Sequence, residues 1–298
     1  MIQRQARTTH EFFGLALPAA LLLLAGCATV PDDRAADRPS AEARALIEIS
    51  QALPGEYLSS RNRRQREADE APLRISIETL PSDRLGQAGF MLSQRQGDGP
   101  TRHFLVAMDV EDQGRIGGAF APVDENGQVR RRCDMRFSLH SNGFSGETDP
   151  QTCRFGADQS TGLLKEIAFD GTLLVIADRL IDLESGESLA SDQVHRFVRI
   201  RPYAGWAGRL EGNNWRLVRQ LDLATGEARE PADAANMSLG LHLELEAIEL
   251  QEGEEIVLRL NVSDSETGAV LGQAWADPDA ESLGLALPDI QIGLRLLR

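Results

Sequence analysis

From Gly55 onward the chain is a succession of short runs in which apolar and polar residues alternate, divided about every ten residues by glycine, proline or aspartate. Leu73-Arg74-Ile75-Ser76-Ile77-Glu78, Phe104-Leu105-Val106-Ala107-Met108, Leu173-Leu174-Val175-Ile176 and His195-Arg196-Phe197-Val198-Arg199-Ile200 are runs of this kind. A period of two puts successive side chains on opposite faces of a strand. With no amphipathic helix between them, strands this closely spaced pair with antiparallel neighbours. The expected fold is therefore all-β, a barrel or a sandwich. Glu184-Ser185-Gly186-Glu187, Ala224-Thr225-Gly226-Glu227 and Glu266-Thr267-Gly268-Ala269 each place a glycine where a tight hairpin needs a positive φ.

One helix precedes the strands. Ser40 is a suitable N-cap, Leu46, Ile49 and Leu53 follow at helical spacing, and Pro54-Gly55 stops the run. A boundary is expected near Arg201-Pro202, dividing a first β body over residues 43–201 from a smaller β-rich unit over 202–298. The second unit alternates again, most clearly at Leu239–Glu246 and Ile256–Leu260, and its Trp206, Trp215 and Trp275 are expected to anchor its core.

The N-terminus reads as an export signal over residues 1–26. Arg4 and Arg7 precede an apolar run, Leu15–Leu24, that ends in small residues. The stretch Phe12–Ala25 is shorter than the ~20 residues a spanning helix needs. Leu24-Ala25-Gly26-Cys27 has the form of a lipoprotein processing site, so Cys27 is expected to carry lipid and hold the chain on a membrane. Residues 27–42, polar and punctuated by proline, then serve as a tether. Ala28, in place of the aspartate that retains such proteins on the inner membrane, points to the cell envelope's outer membrane. With Cys27 lipidated, Cys133 and Cys153 remain in an oxidising compartment, where a disulfide is expected.

The formal net charge of −15 argues against nucleic acid as a partner. Of the 31 basic side chains only Lys165 is a lysine, which leaves a single Schiff-base candidate. Arg61, Arg63, Arg64 and Arg66 form one basic cluster, expected to be solvated. No GxSxG, HExxH, P-loop or dinucleotide fingerprint occurs. His103, His140, His195 and His242 stand singly in strand-like contexts, read as surface or satisfied side chains, and no metal site is expected.

Arg131-Arg132-Cys133-Asp134-Met135-Arg136-Phe137, continuing through Phe144-Ser145-Gly146-Glu147-Thr148 to Cys153-Arg154, resembles the Cys-Asp-Met…Phe-x-Gly-x-Thr…Cys-Arg signature of the CpcT/CpeT family of phycobiliprotein chromophore lyases. Lys165-Glu166-Ile167, Asp178-Arg179-Leu180-Ile181-Asp182 and Leu53-Pro54-Gly55-Glu56-Tyr57 are similar to further motifs of that family. Its Tyr-Arg-Gln-Arg strand reads here as Thr101-Arg102-His103-Phe104, and the tryptophan before its Asp-Arg is Ala177.

The resemblance implies a lipocalin-like antiparallel β-barrel, a calyx able to hold a bilin or other tetrapyrrole. By position it makes Asp178 the candidate for the pyrrole nitrogens and Arg102 and Arg179 the candidates for propionates. Three functions are then open: binding a small hydrophobic or tetrapyrrole-like ligand, lyase chemistry that attaches a chromophore to an acceptor cysteine, or a ligand-free structural role in envelope assembly. An alternative reading of Asp178-Arg179 is an ion pair that fixes barrel closure.

Overall fold

The structure is a computed structural model that describes residues 39–297 apart from 83–85, 130, 157 and 251–254. The expected signal segment 1–26, Cys27 and the expected tether up to residue 38 lie outside the described residues. Residues 39–298 form one compact unit.

Helix α1 spans Ala41–Ala52, and the Ser40 hydroxyl accepts from the Ala43 N–H, as an N-cap should. Leu46, Ile49 and Leu53 are buried, as their spacing predicts. The strands that follow are β1 (Gly55–Ser59), β2 (Leu73–Leu80), β3 (Gln87–Gln96), β4 (Arg102–Val110), β5 (Ile116–Val123), β6 (Cys133–His140), β7 (Gly143–Thr148), β8 (Arg154–Phe155), β9 (Thr161–Phe169), β10 (Leu173–Asp182) and β11 (Gln193–Arg199). All their pairings are antiparallel, and each joins chain neighbours except two: β7 with β9, and β1 with β11. The second of these, Tyr57 opposite Arg199, closes ten strands into a barrel, with the short β8 added beside β9. The all-β antiparallel barrel with one short N-terminal helix is thus the fold that forms. Closure leaves those ten strands without a free edge.

Alternation decides what fills the barrel. Ala88, Phe90 and Leu92 on β3, Val106 and Met108 on β4, Ile167 and Phe169 on β9, and Leu174 and Ile176 on β10 share one core with Leu46, Ile49 and Leu53 of α1. The helix sits against one end. The Thr79 hydroxyl donates to the Ser50 carbonyl, and the Ala43 methyl lies 3.9 Å from where a side chain on Gly86 would start. Both contacts belong to the β2–β3 hairpin end, so α1 stoppers the barrel there. The Cys133–Cys153 disulfide is present and fully buried; a loop of this length contributes about 3 kcal/mol in the chain-entropy account.

β11 ends at Arg199, and β12 (Pro202–Glu211) opens the remainder. With β13 (Asn214–Ala224), β14 (Glu227–Arg229), β15 (Leu241–Glu249), β16 (Ile256–Asp264), β17 (Val270–Ala276), β18 (Ser282–Ala286) and β19 (Ile290–Leu296) it builds two four-stranded antiparallel sheets, ordered β13-β12-β19-β18 and β14-β15-β16-β17. They share a second core that includes Tyr203, Leu223, Leu243, Leu260 and Ile292. Val198, on the outer wall of the barrel, belongs to this core too. The glycines of the three recurrent turns adopt positive φ: Gly186 (76°), Gly226 (84°) and Gly268 (69°).

Two expectations need correcting. The tryptophans do not anchor the second core: Trp206, Trp215 and Trp275 are 40%, 40% and 49% exposed. Strand alternation is the cause, because Ala207 and Val218 occupy the inward positions beside Trp206 and Leu217. Trp206 instead lies over Gly293, while Trp215 and Leu217 cover Gly208, so glycines floor the outer face. The basic cluster is not simply solvated either. Asn62 caps a single helical turn, α2 (Arg63–Glu67), and Arg61 turns away into a buried ion pair with Glu246 at 2.9 Å.

Candidate functional site

Three strands change in the same way toward the end of the barrel opposite α1. On β10 the inward positions run from Leu174 and Ile176, both buried, through half-buried Asp178 to Leu180, which is 40% exposed. On β11 they run from Phe197 through half-buried His195 to exposed Gln193, and on β4 from Val106 through half-buried Phe104 to exposed Arg102. The inward positions of these strands therefore reach solvent at this end, the mouth of the barrel. Its floor is the aromatic core and its rim includes Arg102, Gln193 and Leu180.

Lys165 lies just beneath that rim. β9 presents Leu163, Lys165, Ile167 and Phe169 to the interior, so a lysine occupies one place in an otherwise apolar row. It is 7% exposed. Its Cα is paired with that of Asp178 on β10, and its ammonium stands 2.6 Å from Asp178 Oδ1. The same ammonium lies 4.7 Å from the Phe120 ring centre and 5.8 Å from that of Phe104, two rings stacked 5.4 Å apart. Asp178 Oδ1 makes no hydrogen bond of normal geometry, so the contact with Lys165 is ionic more than directional. The Thr148 hydroxyl fixes the lysine's backbone by accepting from the Lys165 N–H at 2.8 Å and donating to the Leu163 carbonyl at 2.7 Å.

Burial sets the electrostatics. Desolvation pushes the Lys165 amine below the ordinary lysine range, and the Asp178 carboxylate opposes that shift. His195 is likewise lowered, first by burial; Asp178 pulls it upward and Lys165 further down. The mouth thus holds an amine, a carboxylate and an imidazole against aromatic walls, a set able to pair with a charged or carbonyl group on an apolar ligand. Among the described residues, no three His, Cys, Asp or Glu side chains come together in a metal-binding arrangement.

Of the residues singled out by sequence, Asp178 and Arg102 share the inward face of the open end. Arg179 does not join them. As the next residue on the strand it faces outward, where it pairs with Asp192 across the β10–β11 hairpin. Asp178 and Arg179 accordingly form two separate ion pairs and none with each other. A concavity of about 1410 Å³ lies beside β6 and the start of α1, among Glu42, Glu111, Arg132, Asp134, Arg136 and Glu147. Its charges are mixed in sign and mostly exposed, and the chemistry sits elsewhere, at the mouth.

Fold and site together define a closed antiparallel β-barrel with a polar group inside its mouth and a β-sandwich on its flank. No family model matches the sequence, and no curated protein matches it. Among solved structures the chain is similar to the CRL protein of Arabidopsis, at 12% identity over 54% of this chain and 100% of that one, with a TM-score of 0.39.

Proposed function

We propose that this chain is an exported lipoprotein, anchored through Cys27 to the outer membrane, whose barrel mouth binds a small, largely apolar ligand of up to tetrapyrrole size. The observation that carries the reading is the shared passage of β4, β10 and β11 from buried to exposed inward residues, at the end where Lys165 and Asp178 are held. A barrel serving only as scaffold would gain more from an apolar pair at that position, since a buried ion pair is seldom a net source of stability. The resemblance to the CpcT/CpeT chromophore lyases supports a ligand of the bilin type, with Asp178 near its nitrogens and Arg102 at the rim for a carboxylate.

Titration of the purified chain with biliverdin, haem and a long-chain fatty acid, followed by absorption and calorimetry, tests this. Binding in the micromolar range, about −8 kcal/mol, is expected for one of the three, weakened about tenfold by Asp178→Ala. Absence of any signal with all three would overturn it. Lipidation is checked by metabolic labelling with a fatty-acid analogue, which Cys27→Ala should abolish.

A further inference from the structure

We propose that Lys165 is a covalent capture site, forming an imine with an aldehyde carried by an apolar ligand in the barrel mouth. The inference rests on the ligand-binding reading above and adds the chemical class of the ligand.

The choice of residue is the first support. Every other basic side chain in the protein is arginine, including those in the ion pairs Arg61–Glu246, Arg179–Asp192, Arg209–Asp264 and Arg216–Glu211. The chain departs from arginine at one position, and that position is inside the barrel. What lysine offers and arginine does not is an amine that can give up its proton and act as a nucleophile.

Placement is the second. The amine is buried between two aromatic rings and the Asp178 carboxylate, while the Asp178 side chain is itself 39% exposed toward the mouth. The Asp178 side chain and the Phe104 ring are the groups beside the amine that a ligand arriving at this end would meet first. Desolvation favours the neutral, reactive amine, and the Asp178 carboxylate, which opposes that shift, is placed to stabilise the cationic imine that follows.

The step balances without any further reactant. The neutral amine of Lys165 adds to the carbonyl carbon, forming a C–N bond, and the carbonyl oxygen takes up protons and leaves as water. The product is a protonated imine whose positive charge replaces that of the ammonium beside Asp178. From ammonium and aldehyde to iminium and water, atoms and charge are conserved. Asp178 is the counterion throughout, and the charges of both groups act on the half-buried His195 imidazole on the neighbouring strand.

The test uses the full chain with all-trans-retinal and decanal as aldehyde probes and retinol as a probe that cannot form an imine. With only one lysine in the chain, a side-chain amine adduct has a single address. After cyanoborohydride reduction the protein is expected to gain one equivalent of the aldehyde's mass less one oxygen, mapped to the Lys165 peptide. Retinal should also give the red-shifted band of a protonated imine, with Asp178→Asn lowering the pH at which that band is lost. Lys165→Arg, which keeps the charge, should lose at least nine-tenths of the adduct while still binding retinol. Retinol binding by the wild-type chain with no aldehyde adduct at Lys165 would overturn the imine and leave the ligand site standing. No binding of retinol and no adduct with either aldehyde would overturn both.

Discussion

Arg199 shows how much one side chain can join. Its guanidinium donates to the Pro54 carbonyl and to the Tyr57 hydroxyl, each at 2.7 Å, contacts the Ala52 carbonyl, and stacks 4.8 Å from the Tyr57 ring centre. It therefore satisfies the carbonyls left open where α1 ends. Gly55 has to be a glycine beneath it, because a Cβ there would stand 2.2 Å from the guanidinium and φ is +147°. Arg199→Ala is expected to cost about 1–2 kcal/mol in denaturant unfolding, through the lost bonds to the half-buried Pro54 carbonyl and the buried Tyr57 hydroxyl. The two tyrosines give a second prediction. Burial pushes Tyr57 up to about 12 against the opposing charge of Arg199, and burial also raises Tyr203. Phenols of the unfolded chain ionise near pH 10, so the stability these groups add is full below that pH and is lost as the pH climbs toward about 12. Near-ultraviolet titration should show little phenolate until the fold itself gives way. None of this was legible beforehand, because the partners of Arg199 lie far from it in the chain. Lys165 is different: the alternation of β9, with Leu163 and Ile167 turned inward, places its amine on the inward face as well.

At the scale of elements, alternation accounts for most of what was anticipated. The predicted runs at 73–78, 104–108 and 173–176 lie within β2, β4 and β10, and α1 starts at its predicted cap. Alternation names two faces without saying which is buried, and the tryptophans were misread for that reason. An indole is usually the larger hydrophobic prize, yet β12 and β13 turn Ala207 and Val218 inward and leave Trp206 and Trp215 outside. Glycines inside strands carry information that hydrophobicity does not. A Cβ on Gly146 of β7 would come within 2.4 Å of the Phe137 ring, which packs edge-on to Phe144 at 5.9 Å. Gly146→Ala should therefore destabilise the barrel by about 2 kcal/mol, the usual cost of overpacking, seen as a lower midpoint in thermal unfolding.

On the scale of the whole molecule, barrel and sandwich are tied by a buried charge cluster. Glu246, 4% exposed, receives Arg61 from the β1–β2 connection and Arg259 from β16. Burial alone would raise its pKa, but hydrogen bonds and charge from Arg259 and Arg61 hold it below the ordinary carboxylate value. Its contribution is therefore present above the unfolded pKa and is lost as the pH falls through the depressed one. Glu246→Ala, which strands Arg259 and leaves Arg61 only its longer contact with Glu244 at 3.7 Å, should cost about 3 kcal/mol, measured by denaturant unfolding at neutral pH. The backbone supports the same joint, with the Arg61 N–H donating to the Ala247 carbonyl and the Glu249 N–H to that of Arg61. The seam between β1 and β11 has a consequence in time. Most other barrel pairings form between neighbours in the chain, but this one must bring Tyr57 to a residue 142 positions away. Until it closes, the nascent sheet is open along both outer strands, each an edge to which another chain can add. Closure then ranks among the slow, topology-limited events of folding, on the order of milliseconds to seconds. The sandwich core takes in Val198 from that same last strand, and Val198 is paired with Leu58 of β1, so the seam that shuts the ring also borders the sandwich's packing.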